Sequence, residues 1–278
     1  MCSRRPSDFL YELEKGGSIL FKHQLPHFHK GRILKTAMLE SLRDYPRQFA
    51  DIFYQHYSDG IIAGGEVQVN AESLTIAKGI VKHDGRLYTM DEDFELPYSS
   101  NGKETVLKIR FLTEQAASDF TTLPGEIVLD ENDMQVQTDE LELGRFKLKE
   151  GARLRADYQG FADLATEYNT FNGIHVPYAG IGSSTLSPFI LQYFANELLK
   201  SGTDHPYDAG FAMLCLNGGA VERNVIQHYL GQRLGTGYRE LSNERIFAGL
   251  RRILSEAGGG RALPPDVRHG GRQRMIVD

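Results

Sequence analysis

The spacing of apolar residues changes twice along this chain of 278 residues, and these changes constrain its fold more than any other feature of the sequence. From residue 32 to residue 57 apolar residues recur every three or four positions, which is typical of an amphipathic helix. From 59 to 152 they tend to alternate, and turn-forming pairs such as Asp84-Gly85 interrupt them at short intervals. From residue 153 the helical spacing returns. We therefore expect an α+β fold with an N-terminal helix, a small antiparallel β-sandwich or barrel, and a C-terminal helical bundle domain.

The same changes divide the chain into five segments. They are an irregular N-terminal arm (1–31), a helical connector (32–58), an acidic antiparallel β domain (59–152), a helical domain (153–257) and a flexible tail (258–278). In the connector Leu34, Met38 and Leu42 recur at four-residue spacing, and we expect Pro46 to break or restart the helix. One of the strands expected in the β domain covers residues 134–137.

The helical domain is expected to begin with a stripe that includes Leu154, Phe161 and Leu164 at helical spacing. Ser187 and Pro188 then signal the start of a helix, because serine can cap an unpaired amide and proline lacks the N–H that would have no partner there. Further helices up to about residue 256, separated by glycine-containing connections, would complete a compact bundle.

Charge and cysteine content narrow the classes of protein to which the chain can belong. The whole chain has a net charge of −6, and residues 59–152 carry nine basic and nineteen acidic residues, a net charge of −10. Since such a segment repels phosphate groups, no nucleic-acid partner is expected. No stretch approaches the roughly 20 apolar residues of a spanning helix, so no membrane insertion is expected. Cys2 and Cys215 are expected to be free thiols.

No group of residues in the sequence matches a catalytic or metal-binding pattern. The segment with the most potential ligands holds His23, His27 and His29, but Pro26 argues against the helix that would align two of them. Residues 180–184 lack the lysine of a phosphate-binding loop and the glycine spacing of a nucleophile elbow, which favours a linker. We therefore predict no catalytic residue, no metal site and no cofactor.

Several short motifs resemble baseplate and fibre-attachment proteins of tailed bacteriophages and of related tail-like particles. The motifs are residues 57–67 (YSDGIIAGGEV), 74–80 (LTIAKGI), 85–88 (GRLY) and 143–151 (LGRFKLKEG). In that family a helix leads to a turn of the pattern "dG-i-sG", strands of the pattern "l-t-I-a-p-G-i-a" follow, and a later strand closes the β module. The resemblance covers residues 32–165, with Lys78 at the position where the family pattern has proline.

This resemblance implies a structural component of a phage tail baseplate, without enzymatic activity, that links baseplate subunits or attaches receptor-binding fibres. The implied location is a virion tail or tail-like particle, after synthesis in the cytoplasm of the bacterial host. The implied partners are other tail or baseplate proteins, a receptor-binding fibre and further copies of the chain. The residues that we predict to contact partners are Phe9, Phe21, Phe28, Tyr57, Tyr178, Met275 and Ile276.

A cell-wall glycan or peptide hydrolase is an alternative function that the sequence leaves open. Such an enzyme needs two carboxylates, or a nucleophile and a base, within reach of one substrate bond. Asp157, Asp163 and Glu167 are candidates by residue type, although their spacing does not place them on one face of a helix.

A carbohydrate-binding adhesin is a second alternative. It would need exposed aromatic rings on which a sugar can stack, and Tyr88, Tyr98 and Tyr178 have suitable side chains. The sequence contains no tryptophan, which disfavours this function.

Overall fold

A computed structural model describes residues 21–258, and this part of the chain divides into two compact units between Tyr54 and Gln55. The described part of the first unit contains one helix, α1 (Thr36–Phe53), and the second unit contains all described strands and four α-helices. The predicted α+β fold, with an N-terminal helix, antiparallel sheets and C-terminal helices, is therefore confirmed. The five segment boundaries stay predictions, and residues 1–20 and 259–278, which hold most of the predicted arm and tail, lie outside the described residues.

Helix α1 runs without interruption through Pro46, so the expected break at this residue is wrong. A proline removes only one backbone hydrogen bond from a helix, and here the turns on either side of it remain helical. The ion pairs Arg43–Asp44 and Arg47–Asp51 flank the proline on the helix surface. No residue of α1 is buried within the structure.

Eleven strands make up the described β structure. They are β1 (Gly60–Gly64), β2 (Val67–Val69), β3 (Ser73–Ile76), β4 (Gly79–His83), β5 (Arg86–Met90), β6 (Phe94–Pro97), β7 (Glu104–Phe111), β8 (Gln115–Ala116), β9 (Thr121–Thr122), β10 (Gly125–Asp130) and β11 (Glu140–Lys147). All pair in antiparallel fashion, in three-stranded sheets of order β1-β4-β5, β2-β3-β6 and β10-β7-β11, with β8-β9 as a separate pair. The described strands thus form several small sheets.

The tight turn at Asp84-Gly85 follows from the conformational freedom of these two residues. His83 pairs with Arg86 across the β4–β5 hairpin, so the loop contains two residues, and both have positive φ, 47° at Asp84 and 70° at Gly85. A two-residue hairpin loop of this kind requires the left-handed region at both positions, which aspartate tolerates and glycine adopts freely.

Residues 134–137 form a loop, so the expected strand there is wrong. The loop is fastened to the central strand β7 by Lys108, whose fully buried ammonium group donates to the carbonyl oxygens of Asp133 (2.8 Å) and Gln135 (2.7 Å). The same group pairs with Glu140 at 3.0 Å and Asp130 at 3.5 Å. These carbonyls are therefore satisfied by a side chain instead of a neighbouring strand.

The apolar stripe from Leu154 to Leu164 forms no α-helix, and one 3₁₀ helix (Phe161–Ala165) is the regular element between residues 153 and 187. The chain here passes from one core to the other: Leu154 packs in the core of the β structure, whereas Phe161 and Leu164 pack in the core of the helices. Arg155 holds this path by a two-point ion pair with Asp163, with both N–O distances at 2.7 Å. Apolar spacing alone did not distinguish this path from a helix.

The C-terminal helices are α2 (Pro188–Lys200), α3 (Pro206–Leu216), α4 (Arg223–Arg233) and α5 (Asn243–Gly258). Ser187 is the N-cap residue of α2 with Pro188 in the first turn, as predicted, although the serine side chain makes no capping hydrogen bond. The four helices and the 3₁₀ helix share one core around Phe194, which is fully buried. Cys215 is a free thiol in this core, and burial raises the pKa of the thiol to about 12.

Candidate interaction surfaces

The first candidate surface is the apolar face of α1, which we call the α1 stripe and define as Met38, Leu42, Tyr45, Phe49 and Ile52. Met38 is half-buried, and the other four side chains are about half or more exposed, from 49% for Leu42 to 66% for Ile52. The five charged residues of α1 all lie on the opposite face at 100° per residue. The stripe is therefore an apolar surface on a unit that buries none of its described residues.

The second candidate surface is the outward side of α3, defined as Tyr207, Ala209, Gly210, Met213 and Leu214. Met213 is 62% exposed and Tyr207 is 56% exposed, and none of the five residues is charged. Solvent-facing sides of helices normally carry charged residues, and a helix that is apolar on all sides is typical of a buried position. The outward side of α3 has the composition of a contact surface.

The one charged residue of α3, Asp208, is fully buried on the inward side of the helix. Its carboxylate accepts hydrogen bonds from Thr203 (2.7 Å), Tyr229 (2.9 Å) and Arg233 (3.0 Å). His205 lies 3.8 Å from the same carboxylate, and its Nδ1 atom is buried without a hydrogen-bond partner. Asp208 is thus occupied in joining α3 to α4.

Among the cavities of the second unit, two are lined mainly by apolar side chains. One, of about 310 Å³, lies between the β structure and the helices and is lined by residues that include Leu143, Leu164 and Phe171. The other, of about 410 Å³, lies between β5 and β10 and is lined by residues that include Tyr88, Phe111 and Ile127. Their linings contain one acidic side chain, Glu66, and no histidine or cysteine. Neither lining contains the pair of carboxylates that a glycan hydrolase requires.

Residues 180–184, interpreted from the sequence as a linker, are hydrogen-bonded on both sides. The amide of Ser58 donates to Gly180 (2.8 Å), and the amide of Ile181 donates to Glu222 (2.8 Å). Arg223 completes this joint by donating to the Ser184 carbonyl, to the Leu241 carbonyl and to the Asn243 side chain. Burial lowers the pKa of Arg223. The segment therefore fixes the start of α4 to the β structure, a role that its glycines and serines did not indicate.

The predicted partner-contacting residues occupy different environments. Phe21 is 97% exposed and Phe28 is 51% exposed, both in the first unit. Tyr57 and Tyr178 are half-buried, and burial raises the pKa of Tyr178, whose ring packs against the β core. Partner binding at these four residues stays a prediction. The remaining three, Phe9, Met275 and Ile276, lie outside the described residues.

Of the three candidate acids of a hydrolase, two form close ion pairs with basic side chains and the third is mostly exposed to solvent. Hydrogen bonds from Arg155, Thr166 and the Gln159 amide hold the pKa of Asp163 well below its usual range. This direction is opposite to the raised pKa of a general acid. Glu167 pairs with Lys147 at 3.2 Å, and Asp157 is mostly exposed.

The tyrosines considered for sugar stacking are likewise engaged in packing. The Tyr88 ring lies 4.6 Å from Phe111, and the Tyr98 hydroxyl donates to the carbonyls of Asn70 and Ala71. In the part of the chain that the structure describes, no group of three His, Cys, Asp or Glu side chains is arranged to hold a metal ion. None of the described helices is both long and apolar enough to cross a lipid bilayer.

No protein-family model matches this sequence, and no curated protein matches it. Among solved structures, the chain is similar to one chain of the TssK–TssF–TssG baseplate subcomplex of the type VI secretion system, at 11% identity and a TM-score of 0.37, over 85% of this chain and 100% of that chain. The crystal structure of TssK is similar at 11% identity and a TM-score of 0.37, over 86% of this chain and 70% of that chain. A chain of the type VI secretion baseplate complex is similar at 11% identity and a TM-score of 0.22, over 91% of this chain and 94% of that chain. At these TM-scores the similarities carry no conclusion about the fold or activity of this chain.

Proposed function

We propose that this protein is a structural component of a tail baseplate or of a related tail-like particle, and that it acts by contacting neighbouring subunits. The observation that carries the proposal is the exposure of the α1 stripe and of the outward side of α3. Both are apolar surfaces of helices whose charged residues lie on a different face. Exposed apolar patches of this kind are typical of protein–protein contact sites.

The second support is the chemistry of the described titratable groups. The buried carboxylates Asp208, Glu140 and Glu142 are each paired with an arginine or lysine. Contacts within the fold therefore account for the burial of these three charges. The motif resemblance over residues 32–165 is the third support.

The proposal also covers the partners of the chain and its location. The chain associates with other baseplate proteins and with further copies of itself, and it serves to link subunits or to attach a receptor-binding fibre. Its place is the virion tail or tail-like particle, after synthesis in the bacterial cytoplasm. Multivalent contacts within such a particle raise the effective concentration of each weak contact.

The test is co-purification with assembled particles. An epitope-tagged chain, produced in cells that encode it, should sediment with intact tails and should be located at the baseplate by labelling in electron microscopy. Absence of the chain from tails that contain their other baseplate proteins would overturn the proposal.

A matched pair of variants sharpens this test. Met213→Glu places a charge at the centre of the outward side of α3, and Ser255→Glu adds the same charge on the exposed surface of α5. We expect the first variant, and not the second, to reduce incorporation into particles. Equal incorporation of both variants would remove the outward side of α3 from the proposed contacts.

A further inference from the structure

Helix α1 belongs to a unit that has no core in its described part. None of the residues from 21 to 54 is buried, although eleven of the large hydrophobic residues in this range are exposed. Isolated helices gain little stability from their own hydrogen bonds, and helices in proteins are stabilised mainly by packing of an apolar face. The α1 stripe therefore needs a surface that covers it.

The spacing of the stripe identifies the kind of surface. Its residues follow one another at intervals of four, three, four and three, which is the alternation of a heptad seam. Such a seam can pack against another helix with the same spacing. Among the described helices α5 has a comparable stripe, through Ile246, Leu250 and Ile253, but that stripe is buried in the core of the second unit.

The charges of α1 are compatible with a like helix as the partner. All five charged residues lie on the face opposite the stripe, and the pairs Arg43–Asp44 and Arg47–Asp51 neutralise four of them within the helix. When two copies meet through their stripes, no like charges are brought into contact. The exposed heptad seam available for such packing in the described part of the chain is that of α1 in another copy.

We infer that α1 is a self-association helix, and that copies of the chain pack together through the stripe from Met38 to Ile52. This inference rests on the self-association included in the proposed function and assigns it to a defined element. A seam of this length spans about two heptads, too short for a stable isolated coiled coil. The association is therefore moderate on its own and is strengthened where other contacts hold the copies close.

The first experiment measures the mass of the full chain in solution by light scattering over a concentration series. We expect oligomers of the 31.2 kDa chain. Phe49→Glu should raise the dissociation constant of the oligomer at least about 30-fold, because it replaces an aromatic side chain that association buries with a charge. Ala37→Glu adds the same charge outside the stripe and should leave the constant within about threefold. Unchanged thermal unfolding of both variants excludes loss of folding as the cause.

The second experiment tests direct contact between copies. Tyr45 lies on the stripe at the middle of α1, so it faces its own copy in a parallel or an antiparallel pair. In a Cys2→Ser background, Tyr45→Cys should form a disulfide-linked dimer on treatment with diamide, since the Cα atoms can approach within about 7 Å. Arg47→Cys on the opposite face should not. Cys215 is buried and does not interfere.

The outcomes separate this inference from the proposed function. A monomer at all concentrations, or an oligomer that Phe49→Glu leaves unchanged, overturns the inference while co-purification with tails still decides the proposed function. Conversely, a chain that self-associates through the stripe but is absent from particles supports the inference and overturns the proposed function.

Discussion

The two units of this protein differ in where they place their apolar side chains. The second unit buries them in two clusters, one within the sheets and one among the C-terminal helices. The described part of the first unit, residues 21–54, buries none. The first pattern stabilises a chain by itself, whereas the second leaves apolar side chains in contact with water. The same kinds of residue therefore have different consequences in the two units, and substitutions can measure the difference.

The largest contrast is expected between Phe194→Ala in the core of the helices and Phe49→Ala on the α1 stripe. Phe194 is fully buried and lies about 6 Å from the rings of Phe161, Phe211 and Tyr229. Its removal should lower the free energy of unfolding by about 3–5 kcal/mol, whereas Phe49→Ala should change it by less than about 0.5 kcal/mol. Urea denaturation followed by circular dichroism measures both. Comparable losses would mean that α1 is folded onto a core.

A somewhat smaller effect is expected from Lys108→Met, which keeps the buried stem and removes the ammonium group. Glu140 and the carbonyls of Asp133 and Gln135 then lose a donor, which should cost about 2–4 kcal/mol. Lys103→Met is the matched control, because the Lys103 side chain is exposed and its ion pair with Glu131 is long, at 3.9 Å. If both variants unfold at the same denaturant concentration, the Lys108 group does not stabilise the β domain.

Acid should destabilise the second unit more than α1. Hydrogen bonds from Arg155 lower the pKa of Asp163, and backbone amides of Asp133 and Asn132 lower that of Asp130. A depressed pKa in the folded state contributes stability that is present above the ordinary carboxyl pKa of about 4 and is lost as pH falls through the folded value. Stability measured between pH 7 and pH 2 should therefore fall below about pH 4.

Asp163→Asn isolates one contribution to this pH dependence. The variant keeps the shape of the side chain but loses the charge-assisted bonds to Arg155, at a cost of about 1–2 kcal/mol at pH 7. The difference from the unmodified chain should shrink as the pH falls below about 4, because the unfolded chain then binds a proton that the folded Asp163 carboxylate does not. A difference that stays constant from pH 7 to pH 2 would contradict the role of this ion pair.

The smallest effect is expected at the outward side of α3. Met213→Ser removes an apolar side chain that is 62% exposed, so the free energy of unfolding should change by less than about 0.5 kcal/mol. Binding of a dye that fluoresces on apolar surfaces should decrease. A loss above about 1 kcal/mol would show that Met213 packs within the protein and does not form part of a contact surface.

Sequence patterns predicted the elements whose stabilising contacts are local. The Asp84-Gly85 hairpin depends on the backbone preferences of two residues, and the start of α2 depends on Pro188, so both could be predicted without knowledge of the rest of the fold. Expectations were wrong where contacts with residues distant in the sequence determine the local structure. Residues 134–137 are held as a loop by Lys108, which precedes them by about 26 positions in the sequence.

The candidate surfaces were only partly predictable for the same reason. The stripe of α1 could be found from apolar spacing, but its exposure could not, because an amphipathic helix normally covers a core. The outward side of α3 was missed, although one signal was present: from Pro206 to Leu216 the sequence contains a single charged residue. The stripe from Leu154 to Leu164 shows the reverse case, in which helical spacing belongs to a chain that contributes to two separate cores.

The burial of Cys215 bears on the resistance of the helical core to oxidation. Attack by oxidants and exchange with other thiols proceed through the thiolate, and a thiol with a pKa of about 12 is almost entirely protonated at neutral pH. Burial therefore protects this position of the helical core against oxidation and thiol exchange, whatever the redox conditions around the protein.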